Sequence, residues 1–130
     1  IAQMKLQDRF ILTGLVKPEE IPQLTNAMDI LVHPSRREGL ARALPQAQLA
    51  GKPVVTYDID GNREGLIDGQ SGFVVPPFDK AKLGERLAAL IEDADLRRSM
   101  GQVGRDFAVA RFDVKAMIDG LEQVYSRRQS

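Results

Sequence analysis

The chain has 130 residues, no cysteine, one histidine, and eighteen basic residues balanced by eighteen acidic ones. That length suits one domain, and 43% hydrophobic residues suffice for a single packed core. The interspersed charges lack the basic surface that nucleic-acid binding needs, cysteine and histidine are too few for thiolate or His-based metal centres, and no apolar run approaches the roughly 20 residues of a membrane-spanning helix.

The first residue is Ile1, not an initiator Met, and Ile1 to Leu6 reads as the end of a helix, so a piece of a longer protein is expected. The apolar run Phe10-Ile-Leu-Thr-Gly14-Leu-Val16, followed by Lys17-Pro18, predicts a strand entering a loop. Early acids, Pro22 and apolar positions three and four apart predict a short helix beginning near Pro22.

The centre of the chain is Ile30 to Tyr57. A short apolar run stops at Pro34, a loop containing Gly39 follows, Ala41 to Gly51 is helical in pattern, and Lys52-Pro53 leads into Val54-Val-Thr-Tyr57. That order predicts strand, turn, helix, strand: one βαβ unit. Its first loop leaves the carboxyl edge of a parallel sheet, where open α/β proteins bind ligands. A helix starting near Gly39 points free N–H groups at the same edge, where they suit a phosphate.

The polar stretch Asp58 to Gly65 leaves the next strand and opens on that edge too, with a helical turn expected through Leu66 and Ile67. Asp68-Gly69 is turn chemistry, and Phe73-Val-Val75 is a third strand halted by Pro76-Pro77. Three helices are predicted to close the chain. The first, capped by Asp79, carries Leu83, Leu87, Leu90 and Ile91; the second carries Leu96, Met100, Val103 and Phe107; the third, capped by Asp113, carries Met117, Leu121, Val124 and Tyr125. Such stripes are core-facing packing, and Ser126 to Ser130 is a polar end expected to fray. The fold class is α/β, a parallel sheet with flanking helices.

Candidate site residues cluster on the edge loops. Glu38, beside Arg36 and Arg37, is by spacing either a solvated loop charge or a carboxylate reaching into a cleft, with Gly39 leaving room for a ligand against the backbone. Gln46, eight positions on, faces either that cleft or water. His33, late in a strand, reads more simply as a packed or surface residue than as a base. Asn62 and Glu64 lie on the second loop, where turn formation and capping are the plain alternatives.

The order Pro34-Ser35-x-x-Glu38-Gly39, Gln46-Ala47-x-x-x-Gly51-Lys52-Pro53-Val54-Val55, Gly61-x-x-Glu64-Gly65, Asp68-Gly69-Gln70-x-Gly72-Phe73-Val74-Val75-Pro76, with the tail Leu96-Arg97-x-x-Met100-Gly101-x-x-Gly104-Arg105, resembles the donor-binding half of the family 4 retaining glycosyltransferases of the GT-B fold. The resemblance runs from about Phe10 onward. It implies a Rossmann-like, incomplete half of a GT-B enzyme over residues 1–130, with upstream strands and the acceptor domain absent and the isolated piece inactive. It also implies transfer of a sugar from a nucleotide-diphosphate donor with retention of configuration.

By the same resemblance Glu38 is the catalytic carboxylate near the transferred sugar. Ser35, Gly39, Leu40, Gln46, Gly61 and Glu64 are substrate-binding, with the Gly39 and Leu40 amides at the diphosphate and position 46 at the ribose. The family carries a glutamate there; this chain departs with Gln46, a weaker partner for two hydroxyls. No cofactor and no metal are implied, and the acceptor is left undefined. A cytoplasmic location is expected, with peripheral membrane association of the full-length protein left open. The alternatives are a non-catalytic sugar-nucleotide-binding or scaffold domain and, ranked last for want of a G-x-G-x-x-G, a dinucleotide-binding module.

The family's sheet order, 3-2-1-4-5-6, further implies four strands here: Phe10 to Val16, Ile30 to Pro34, Pro53 to Tyr57 and Phe73 to Val75. The edge of the Ile30 strand would then lack its neighbour. Pairing by an inward shift of the Phe10 strand, self-association with a second copy, or cover by the missing strands elsewhere in the protein is expected, the first two being favoured equally.

Overall fold

Residues 2–127 are described in the computed structural model of this chain. Three short strands form one parallel sheet in the order β1-β2-β3, namely β1 (Leu31–His33), β2 (Val54–Tyr57) and β3 (Gly72–Val75). Leu31, Val32 and His33 lie opposite Val54, Val55 and Thr56, and Val54 to Tyr57 lie opposite Gly72 to Val75. The helices are α1 (Ile21–Ala27), α2 (Ala43–Leu49), α3 (Lys80–Glu92), α4 (Ala94–Arg111) and α5 (Val114–Arg127).

Alternation along the strands divides the core between the two faces. Val54, with Leu31 and Val74 against it, packs on Ala41, Leu44 and Ala47 around α2 and on Leu66. Val55, Tyr57 and Val75 pack on Leu90 of α3 and Met100 of α4, with Leu83, Leu87 and Leu96 alongside. Leu44 and Leu90 are completely buried, and each such side chain stabilises the fold by about 1.5–3 kcal/mol. All four β2 residues are buried, so this strand is covered on both faces and lacks an exposed polar side; its polar member, Thr56, is hydrogen-bonded to the His33 carbonyl.

Helix α4 lies close to α2 because glycine allows it. A Cβ on Gly101 would come within 2.0 Å of the Gly51 carbonyl oxygen. Asp79 caps α3, accepting from the Lys82 N–H at 2.8 Å as its position predicts, and Asp93 does the same for α4 from Leu96.

Several expectations are corrected. Phe10 to Val16 is not a strand: Ile11, Leu12 and Leu15 are exposed, and Gly14 takes φ +64°. A strand needs a ladder partner for its backbone groups, and this run finds none among the described residues. It does not shift inward to β1, which stays at the sheet's edge with β2 as its one partner there. Residues 2–9 hold two 3-10 turns where the end of a helix was expected. The helical turn falls on Asp60–Gly65, before Leu66 and Ile67, with Leu66 extended. Ile91 and Met117, read as core-facing, are 67% and 60% exposed. The side chains of Leu121, Val124 and Tyr125 and the end at 128–130 lie outside the described residues.

Candidate functional site at the carboxyl edge of the sheet

All three strands end at one edge, so the loops after His33, Tyr57 and Val75 open together. Two of them are stitched by one side-chain cap and one backbone–backbone hydrogen bond. The Glu38 N–H donates to Asp60 Oδ2 at 3.1 Å, and the Gly61 N–H donates to the Gly39 carbonyl at 2.9 Å. Gly61 is required there, because a Cβ would sit 2.8 Å from that carbonyl oxygen. Within the first loop the Ser35 hydroxyl donates to the Arg37 carbonyl at 3.2 Å, so Ser35 shapes the turn before Glu38.

The second loop is anchored from below. Asn62, fully buried, donates through Nδ2 to Thr56 Oγ1 at 3.0 Å and to the Tyr57 carbonyl at 3.4 Å. Thr56 Oγ1 in turn donates to the His33 carbonyl at 2.9 Å, joining β2 to the end of β1. Gln48 of α2, also fully buried, donates to the Gly65 carbonyl and ties the helix to the same turn. Arg63 forms a two-bonded pair with Asp58 at 3.0 and 2.5 Å. Its hydrogen bond holds the Asp58 carboxyl below the ordinary carboxylate range and raises Arg63 in return.

These contacts bring five of the predicted residues into one assembly: Ser35, Glu38, Gly39, Leu40 and Gly61. Glu38 is half-buried, its Oε1 3.6 Å from His33 Nε2. Leu40 leans on the turn, its Cδ1 filling the space beside Gly65. Around Gly39 the space is open, since a Cβ there would meet nothing within 4 Å. The N–H groups of Gly39 and Leu40 donate to no backbone carbonyl among the described residues. Glu64 lies exposed on the same 3-10 turn.

Gln46 is placed differently. It is exposed and lines a groove of about 420 Å³ between α1 and α2, with Pro18, Ile21, Pro22, Thr25 and Leu49. No hydrogen bond or ion pair joins it to Glu38 among the described residues. The helix also starts later than expected, at Ala43 with Arg42 before it, so Gly39 and Leu40 belong to the preceding turn. Asp60 and Gln48 were missed by sequence reasoning: Asp60, at φ +46°, holds the Glu38 backbone, and Gln48 holds the turn. The adjacent Asp60-Gly61-Asn62 carried the signal, as a tight turn whose side chains cap neighbouring backbone. Among the described residues no helix is long and apolar enough to cross a membrane.

A parallel sheet with helices on both faces and two loops meeting at its carboxyl edge defines a Rossmann-like domain, and here one matching the C-terminal domains of GT-B glycosyltransferases. The chain belongs to the family described as glycosyl transferases group 1, whose pattern it matches over residues 1–107. It is 30% identical over 120 residues to the alpha-D-kanosaminyltransferase of Streptomyces kanamyceticus, covering 92% of this chain and 31% of the relative. The crystal structure of Anabaena HepE in complex with UDP superposes with a TM-score of 0.89 at 28% identity, over 97% of this chain and 34% of that one. The C-terminal domain of a group 1 glycosyl transferase, LpcC of Francisella tularensis, gives 0.79 at 26% identity, over 87% of this chain and 58% of the other. The chain thus spans about a third of the length of the curated relatives it matches.

Proposed function

We propose that the protein containing this chain transfers a sugar from a nucleotide-diphosphate donor to an acceptor with retention of configuration, as family 4 enzymes do, and that this chain supplies the donor side of the site. The carrying observation is the junction at residues 35–40 and 58–65. A half-buried carboxylate and two consecutive N–H groups without backbone acceptors stand together at the carboxyl edge. In this reading Glu38 meets the hydroxyls of the transferred sugar, and the Gly39 and Leu40 N–H groups meet the diphosphate. Preorganised donors of this kind stabilise the negative charge that grows on a departing diphosphate.

Ser35 and Gly61 shape the two loops around the donor, and Glu64 extends the sugar-facing rim. Gln46 takes the ribose, which puts the nucleoside end in the groove between α1 and α2, where Pro18, Ile21 and Pro22 offer apolar walls. The HepE relative is seen with UDP and with UDP-glucose, which supports a nucleotide sugar as the ligand class. The test is a panel of nucleotide sugars titrated into the full-length protein, followed by NMR of the anomeric configuration of the product. Retention with one preferred donor is expected; binding without transfer points to a sugar-nucleotide-binding domain, and inversion refutes the retaining assignment.

A further inference from the structure

The geometry points to His33 as the positioning residue of Glu38, an inference that rests on the reading of Glu38 given above. His33 Nε2 is buried and makes no hydrogen bond. A buried ring nitrogen left without a partner is uncommon in folded proteins. The group it faces is the Glu38 carboxylate, Oε1 lying 3.6 Å away, within ion-pair range and just beyond a hydrogen bond.

Both ends of Glu38 are then accounted for. Its backbone N–H is held by Asp60, and its carboxylate lies against His33. The imidazole itself sits on a fixed base: His33 pairs with Thr56 in the ladder, its carbonyl accepts from Thr56 Oγ1, and Thr56 accepts from buried Asn62 on the turn that carries Asp60. With Nε2 protonated as the donor to Oε1, the other carboxylate oxygen is left for the sugar. Contacts of this type are commonly long without ligand and shorten when substrate engages. His33 touches neither donor nor acceptor in this scheme, and no proton leaves it.

The experiment measures transfer by the full-length protein with the nucleotide sugar it turns over, UDP-glucose being the first probe. His33→Phe keeps a planar ring but removes Nε2, with His33→Leu as a second deletion should the larger ring not be accommodated. His33→Gln places an amide nitrogen near the position of Nε2. The expected result is a fall in kcat of about 10- to 100-fold for His33→Phe with KM within about twofold, the scale of a misplaced catalytic group, and recovery of most of it in His33→Gln. In a Glu38→Gln background the His33 substitution should cost little further, because the two act as one unit. Independently of turnover, the His33 ring resonances, identified by their loss in His33→Gln, should move in Glu38→Gln and stay in place in Glu64→Gln. Equal losses in Phe and Gln, an effect on KM alone, additive losses with Glu38→Gln, or unmoved ring resonances would each overturn the inference. If those follow a normal Glu38→Gln loss, the reading of Glu38 stands without His33; a Glu38→Gln enzyme at the parent rate removes both.

Discussion

Gly61→Ala probes the contact on which the site is built. The added methyl would sit 2.8 Å from the Gly39 carbonyl oxygen and 3.2 Å from its carbon, both backbone atoms that cannot rotate away. The loops therefore separate by several tenths of an ångström, and the Gly61 to Gly39 bond at 2.9 Å and the neighbouring Glu38 to Asp60 bond at 3.1 Å are lost or stretched. At about 1 kcal/mol each, less roughly 0.4–1 kcal/mol that alanine returns by restricting the unfolded chain, the net destabilisation is about 1–1.5 kcal/mol. That lowers Tm by about 3–6 °C in a domain of this size. Turnover should fall further, about 10- to 100-fold, since Glu38 moves with its loop. The assay pairs thermal unfolding with transfer kinetics of the full-length protein and carries Gly39→Ala as its companion. The Cβ of Gly39→Ala meets nothing within 4 Å, so stability should hold within about 0.5 kcal/mol, while donor affinity drops if the diphosphate lies against that backbone. A Gly61→Ala protein with parental Tm and parental turnover would refute the claim that the two loops are held as one site.

Gln46→Glu should tighten nucleotide-diphosphate binding by about 1 kcal/mol, the scale of an improved hydrogen bond to ribose; calorimetry showing equal or weaker binding means that position 46 serves the groove between α1 and α2 in some other way. Asp58 is held below its ordinary range mainly by the hydrogen bond from Arg63, so its contribution is complete above about pH 4 and is lost as pH falls through the lower folded value. Because the pair is exposed, that contribution is small. The parent's Tm should decline more steeply below pH 4 than that of Asp58→Asn, and parallel profiles would dismiss the pair as a contributor.

How much of this was legible in the sequence depended on how local each signal was. The βαβ unit from Ile30 to Tyr57 was readable because Pro34, Gly51 and Pro53 punctuate it and Val54-Val55 can only be a buried strand. The Asp79 cap was readable for the same reason. Phe10 to Val16 has the composition of a strand, but a strand exists through its neighbours, and nothing in this run states whether a partner is present. Glu38, Gly39 and Gly61 could be placed on one edge from topology alone. That Asp60 caps the Glu38 amide, twenty-two positions away, is set by loop geometry with no periodic trace. The Gln48 amide likewise left no trace in the pattern: it spans from α2 to the Gly65 carbonyl, a contact that depends on how closely the helix meets the turn.

The central claim is that Glu38 acts on the donor sugar at the carboxyl edge, and Glu38→Gln in the full-length protein tests it most directly. The substitution keeps size and hydrogen-bonding shape and removes the charge from a loop residue outside both core clusters. Turnover is predicted to fall by about 2.7–4 kcal/mol, or 10²- to 10³-fold, with Tm nearly unchanged. Transfer at the parent rate would contradict the account and leave Glu38 a loop charge beside His33.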